Sequence, residues 1–133
     1  MAVDNVIIRD THPSEWLTVS QVLAVSSNIC AAKIGLGLGE NRLYEAMRRF
    51  GFGEQTGLPL PGDASGTLRP KGRPWVQVET ASAAFGQGIG ITNLQLAMAA
   101  GAIANGGELM EPLLVKKVTT ATGELVREAT PRV

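Results

Sequence analysis

Leu17-Thr18-Val19-Ser20-Gln21-Val22-Leu23-Ala24-Val25-Ser26-Ser27-Asn28-Ile29-Cys30-Ala31 reads as a helix, a tight interruption and the start of a second helix. Thr18 at the N-cap can accept from the amide three residues on, while Gln21 reaches back to the cap amide, the reciprocal pattern of a capping box. Val19, Val22, Leu23 and Val25 carry the first helix until Ser26-Ser27-Asn28, whose small polar side chains compete for backbone hydrogen bonds. On spacing alone this triplet is an N-cap for the second helix. That helix is expected over Ile29–Leu38, with Ala31, Ala32, Ile34 and Leu38 as packing positions and Gly39 as its end. Asn41 can cap a third, in which Leu43, Met47 and Phe50 recur at helical spacing, Arg48 and Arg49 occupy the last turn and Gly51 stops it. Residues 18–50 therefore form a helical cluster.

Outward from that cluster the chain changes character. Residues 1–17 read as irregular or extended, with Val6-Ile7-Ile8 a short strand and Thr11-His12-Pro13-Ser14 a turn. Residues 51–74 hold ten glycines and prolines with few helix formers between them. Such a long ordered loop inside a domain is usually functional or packed on something. Helix returns between Val76 and Ala84, followed by a glycine-rich turn at Phe85–Gly90. Thr92-Asn93-Leu94-Gln95 repeats the capping-box pattern and opens a helix over residues 92–105, apolar nearly all round and therefore expected to be buried. Asn105-Gly106-Gly107 supplies residues that tolerate positive φ at its end. Residues 113–128 read as a hairpin, Leu113–Val118 and Glu124–Arg127 flanking a turn near Thr122-Gly123.

Composition removes several function classes. Twelve basic against twelve acidic side chains give a formal net charge of zero, which speaks against nucleic acid as a partner, since such binding draws on neutralised phosphates. Charged residues make up 18 %, below the usual quarter or so, so more surface than normal is apolar or polar-neutral. One cysteine, Cys30, and one histidine, His12, cannot build a multi-histidine metal site or an internal disulfide; Cys30 reads as a small buried apolar residue. No G-x-S-x-G elbow presents a serine to His12. Gly35-Leu36-Gly37-Leu38-Gly39 follows a helix, not a strand, and is no dinucleotide loop. Arg69, Lys71 and Arg73 read as a solvated loop and not a phosphate cradle. No apolar run of membrane-spanning length and no signal-peptide pattern occurs, so the chain is expected to be soluble.

Three segments carry a resemblance. The run from Leu17 to Ala31 resembles the S-x-N segment of penicillin-binding proteins, serine acyltransferases that cross-link peptidoglycan. R-F-G-F-G-E-Q-T-G-L-P-L-P-G-D-A-S-G (Arg49 to Gly66) and A-F-G-Q-G-I-G-I-T-N-L-Q-L-A-M-A-A-G-A-I-A-N-G-G-E-L-M-E-P (Ala84 to Pro112) resemble the same family in the same order. The similarity runs over about residues 5–118. The acidic P-G-D element and Trp75 look most like class B transpeptidases of the division type, the elongation type being the runner-up; Asp63 stands where the family more often has glutamate.

The resemblance implies an α+β fold: residues 1–133 would be the middle of a transpeptidase domain, a mostly helical subdomain of the serine β-lactamase-like fold with a C-terminal β-hairpin. It implies a serine D-Ala-D-Ala transpeptidase acting on peptidoglycan stem peptides and bound by β-lactams, with no cofactor and no metal. Ser26 would relay a proton to the departing D-alanine, Asn28 would offer its amide to a substrate carbonyl, and Ser27 would be the spacer that caps the next helix. The parent would be anchored in the bacterial plasma membrane with this domain on the extracytoplasmic side. No serine has lysine three places on, and Lys116-Lys117-Val118 does not continue as K-[ST]-G. The chain alone is accordingly expected to be inactive, and either to self-associate or to bind the missing remainder of the domain. The alternative is a non-catalytic helical module that binds peptidoglycan or a division partner.

Overall fold

The computed structural model describes residues 1–70 and 72–133; Lys71, expected to be part of a solvated loop, lies outside the described residues. The chain divides into two units, Met1–Ala46 with Arg69–Ile89 and Met47–Leu68 with Gly90–Val133. Among the described residues, five helices and two small antiparallel strand pairs make the fold α+β.

In the first unit the stretch expected to be largely irregular begins with a hairpin. Strand β1 (Ala2–Val3) pairs with β2 (Val6–Ile7), Ala2 opposite Ile7 and Val3 opposite Val6, around a turn in which Asp4 adopts φ 48°. The Ile8 N–H donates to the Met1 carbonyl at 2.8 Å. This pairing turns Val3 and Ile8 into the core beside Ala32 and Ala81, with Ile29, Leu36, Val78 and Phe85 packed around them.

Helix α1 (Val19–Ala24) starts with the capping box at Thr18 and Gln21. Helix α2 (Asn28–Leu38) is capped by Ser27 and ends at Gly39, so the Gly35–Gly39 run lies mostly inside a helix. It packs against α4 (Gln77–Ala84), and the crossing is close: a Cβ at Gly35 would lie 2.4 Å from Cβ of Ala84. Cys30 is half-buried, less enclosed than expected. Helix α3 (Glu40–Arg49) starts before the Asn41 cap read from the sequence. Gly39 at φ 79° already turns the chain, and its carbonyl accepts the Leu43 N–H at 3.1 Å, so the helix needs no cap from Asn41.

Arg69 is not solvated as expected. Its side chain is only 10 % exposed and pairs with Glu79; it donates to the Pro74 carbonyl, and its guanidinium lies 5.6 Å from the Trp75 ring centre. A planar guanidinium can satisfy an anion, a carbonyl and an aromatic face at once. Trp75 in turn meets Tyr44 edge-on at 6.2 Å. Arg73 does remain in solvent, 69 % exposed.

The second unit is organised by α5 (Asn93–Ala104), which opens with the capping box at Thr92 and Gln95. Gln95, Ala99 and Ala102 are buried, but Leu96 and Ile103 are 58 % and 73 % exposed, so the helix is buried along one face and not all round. Its apolar circumference exceeds what the described residues cover. At its end Asn105 keeps a negative φ; Gly106 and Gly107 take the positive values, and Asn105 Oδ1 accepts from the Gly107 and Glu108 amides.

The loop between α3 and α4 has internal structure. Thr67 exchanges both backbone hydrogen bonds with Gly90, at 2.7 and 2.8 Å, and the Asp63 carboxylate accepts from the Thr56 hydroxyl and the Gly57 N–H. The terminal hairpin pairs β3 (Lys117–Thr119) with β4 (Leu125–Glu128), with an irregularity after Val118. Its first strand starts at Lys117 instead of Leu113. Continuing the Lys117–Glu128 register would set Pro131 opposite Leu114, and proline has no N–H to pair.

Candidate functional site

Ser26 and Asn28 lie at the tight turn, Val25 to Ser27, that closes one helix and opens the next. The Ser26 N–H donates to the Leu23 carbonyl at 3.2 Å and the Ser27 N–H to the Val22 carbonyl at 3.1 Å. With Val25 as C-cap, these are the two reversed bonds of a Schellman motif, which requires a left-handed residue between them. Ser26 is that residue, at φ 53°. Glycine is usual there, and a non-glycine residue in this region costs about 1–2 kcal/mol. Ser26 is exposed, and among the described residues its hydroxyl makes no hydrogen bond.

Ser27 serves both helices from the turn between them. Buried at 4 % exposure, it ends the Schellman motif through its N–H and caps α2 through its Oγ, which accepts the Cys30 N–H at 3.1 Å. Its hydroxyl hydrogen goes to Asp10 Oδ2 at 2.6 Å, while Asp10 Oδ1 accepts the Ile29 N–H at 2.9 Å. Burial alone would raise the Asp10 carboxyl, but the Ser27 hydroxyl and the backbone N–H groups of Ile29 and Asn28 outweigh it and hold the carboxyl below its ordinary value. An anion at the first turn of a helix is also favoured by the helix dipole.

Asn28 is the first helical residue of α2, half-buried. Its Nδ2 donates to the Arg9 carbonyl at 3.3 Å, which uses one of two amide hydrogens and leaves the second and both Oδ1 lone pairs for a bound group. The structure thus brings Asn28, Ser27, Arg9 and Asp10 together. Ser26 shares their turn but has no side-chain hydrogen bond to any of them. Asp10 does not stand out in the sequence, where it follows Arg9 just past the Val6–Ile8 apolar run.

Arg69 and Glu79 form a second polar cluster in the same unit, beside a cavity of about 300 Å³ that Trp75, Ser82 and Gln87 also line. The Val76 N–H, with the Arg69 guanidinium, holds the Glu79 carboxyl below its ordinary value. With its charge already matched, Arg69 is not free for a phosphate. Among the described residues no group of histidine, cysteine, aspartate and glutamate side chains could hold a metal ion, and no helix is long and apolar enough to cross a membrane.

The chain matches the family model described as the penicillin-binding protein transpeptidase domain over residues 4–132. It is 36 % identical over 115 residues to stage V sporulation protein D of Bacillus subtilis, covering 86 % of this chain and 18 % of that protein. To peptidoglycan D,D-transpeptidase FtsI of Escherichia coli it is 37 % identical over 111 residues, covering 84 % of this chain and 18 % of that one. Penicillin-binding protein 3 of Mycobacterium tuberculosis, solved in complex with aztreonam, superposes with a TM-score of 0.82 at 30 % identity, over 96 % of this chain and 29 % of the other. The chain spans about a fifth of the length of these curated relatives. The S-x-N turn, the order of the three resembling segments and the match over nearly every residue agree: this chain belongs to the penicillin-binding protein transpeptidase domain family, in its class B branch.

Proposed function

We propose that residues 1–133 are the central, mostly helical part of a peptidoglycan D,D-transpeptidase of the division type, and that Ser26 and Asn28 are its S-x-N pair. The observation that carries this reading is the strained turn. A serine takes the left-handed position that glycine would occupy at lower cost, and strain of this kind gathers at functional sites.

In the reaction a nucleophilic serine Oγ attacks the penultimate D-alanine carbonyl of a stem peptide, an ester forms, and the C–N bond to the terminal D-alanine breaks. The leaving amine needs a proton. Ser26, with a hydroxyl that both donates and accepts, passes it on from the lysine that activated the nucleophile. Asn28 directs its remaining amide hydrogen at the carbonyl of the stem peptide's backbone or of a β-lactam's side arm. Nucleophile and lysine belong to an S-x-x-K motif and the substrate strand to a K-[ST]-G motif, and the 133 residues contain neither. Without them the turn is only one wall of the site. The parent enzyme would be held at the extracytoplasmic face of the plasma membrane, where its substrate is assembled.

The test compares the complete transpeptidase domain that contains this segment with its Ser26→Ala and Asn28→Ala variants. Labelling by a fluorescent penicillin is expected to slow by about a hundredfold or more in each, the scale of losing a positioned proton carrier or donor. Labelling at the unaltered rate in both variants would remove Ser26 and Asn28 from the mechanism.

A further inference from the structure

We propose that Asp10 is a positioning residue for acyl transfer, acting through Asn28; this rests on the assignment of Ser26 and Asn28 as the S-x-N pair. The Asp10 carboxylate grips the residues on either side of Asn28, taking the Ser27 hydroxyl with Oδ2 and the Ile29 N–H with Oδ1. The carbonyl just before it in the chain, that of Arg9, takes the Asn28 side-chain amide. One dipeptide, Arg9-Asp10, therefore holds both the backbone around Asn28 and the direction of its side chain.

A purely local role in capping α2 does not account for this arrangement. Ser27 already caps the helix from within its own segment, accepting the Cys30 N–H. The Asp10 carboxylate comes from 17 residues away in sequence and fixes where the Arg9 carbonyl stands. Loss of the carboxylate frees the Arg9-Asp10 segment from α2, and the Asn28 amide loses its fixed acceptor and turns among its rotamers. A donor displaced by an ångström from its productive position is enough for a large loss of rate.

The experiment uses the complete domain and follows acylation by fluorescent penicillin over a range of concentrations, so that the acylation rate constant and the affinity of the non-covalent complex are obtained separately. Asp10→Ala is expected to lower the rate constant about tenfold or more while the affinity changes less. Asp10→Asn is expected to recover most of the loss: its Oδ1 can accept the Ile29 N–H, and its Nδ2 can donate to Ser27 Oγ, which has a lone pair to spare. In the Asn28→Ala background, Asp10→Ala is expected to add less than about a twofold loss, because the group it acts through is gone.

Wild-type acylation by a folded Asp10→Ala protein, with Asn28→Ala slow, would overturn the proposal and leave the reading of the site intact. So would a full tenfold loss on top of Asn28→Ala, the mark of a structural role. Wild-type rates for both Ser26→Ala and Asn28→Ala would overturn the site reading and this proposal with it. If Asp10→Ala does not fold, Asp10→Glu replaces it: the charge stays, the carboxylate shifts by a methylene, and the same slow acylation is expected, wild-type rates again overturning the proposal.

Discussion

The side chain at position 26 sets stability and chemistry against each other. Ser26 at φ 53° carries a cost that glycine would not, so Ser26→Gly is expected to raise unfolding free energy by about 1 kcal/mol, read from the urea midpoint, while removing the hydroxyl the reaction needs. A midpoint that falls instead would mean the serine side chain holds the turn in a way its geometry does not show. Asp10 makes a prediction about pH. Its folded carboxyl lies below the ordinary value, so the ionised form stabilises the fold above the unfolded value, about pH 4, and that contribution is lost as pH falls through the folded value. Between pH 6 and pH 3 the melting temperature is expected to fall more steeply for the wild type than for Asp10→Asn; parallel slopes would contradict the assignment. The two residues are not equally legible in the sequence. The Ser26-Ser27-Asn28 triplet lies in one local pattern, whereas the bond from Ser27 to Asp10 joins positions that no periodicity relates.

At the level of elements, the local signals are readable and the long-range ones are not. Both capping boxes, Thr18 with Gln21 and Thr92 with Gln95, can be read because four consecutive residues contain all the chemistry. Gln95 does more than cap. It is the one large side chain fully buried among the described residues; its Oε1 accepts the Thr92 N–H, and its Nε2 reaches the carbonyls of Glu54 and Ser65 at 2.8 and 2.9 Å and, more weakly, Gly51 at 3.4 Å. The loop read from its glycines and prolines is thus ordered by a side chain 30 to 44 residues away, which composition cannot reveal. Gln95→Leu would leave these groups without partners and is expected to cost about 3 kcal/mol, with the largest rise in amide exchange over residues 51–67. The crossing of α2 and α4 predicts a second loss. Gly35→Ala would gain about 1 kcal/mol of helix propensity, but its Cβ would fall 2.4 Å from Cβ of Ala84, and overpacking of this kind costs about 1–3 kcal/mol. The clash is expected to win, lowering the melting temperature. Arg69 escapes the sequence for the same reason as Gln95: its partners Glu79 and Trp75 become visible only once the chain has turned back.

For the molecule as a whole, helical periodicity gives the order of elements but overestimates how much of their apolar surface this chain hides. Leu23 on α1 is 79 % exposed, Trp16 just before it 92 %, and Ile103 on α5 73 %. Large apolar side chains left exposed in this way, in each unit taken by itself, are surface suited to a partner. In the proposed reading the partner is the rest of the transpeptidase domain, so the isolated chain is expected to bind a hydrophobic dye and to associate with itself at high concentration. Light scattering from a monomer at all concentrations, with no dye bound, would count against that. After penicillin treatment the intact chain is expected to show no mass increase, since it holds no serine with lysine three places on; a single covalent adduct would overturn its assignment as inactive. Ser27, which ends one helix and begins the next, has a consequence for how this sequence can vary. Val25, Ser26 and Ser27 separate α1 from α2, and each is committed, as C-cap, left-handed residue and N-cap. An insertion beside Ser27 would therefore break the reversed bonds of the Schellman motif or the cap of α2. The Ser27 hydroxyl would lose its place beside Asp10 and the Asn28 amide its place beside the Arg9 carbonyl. Substitutions can be absorbed one side chain at a time at this corner, but its length cannot drift.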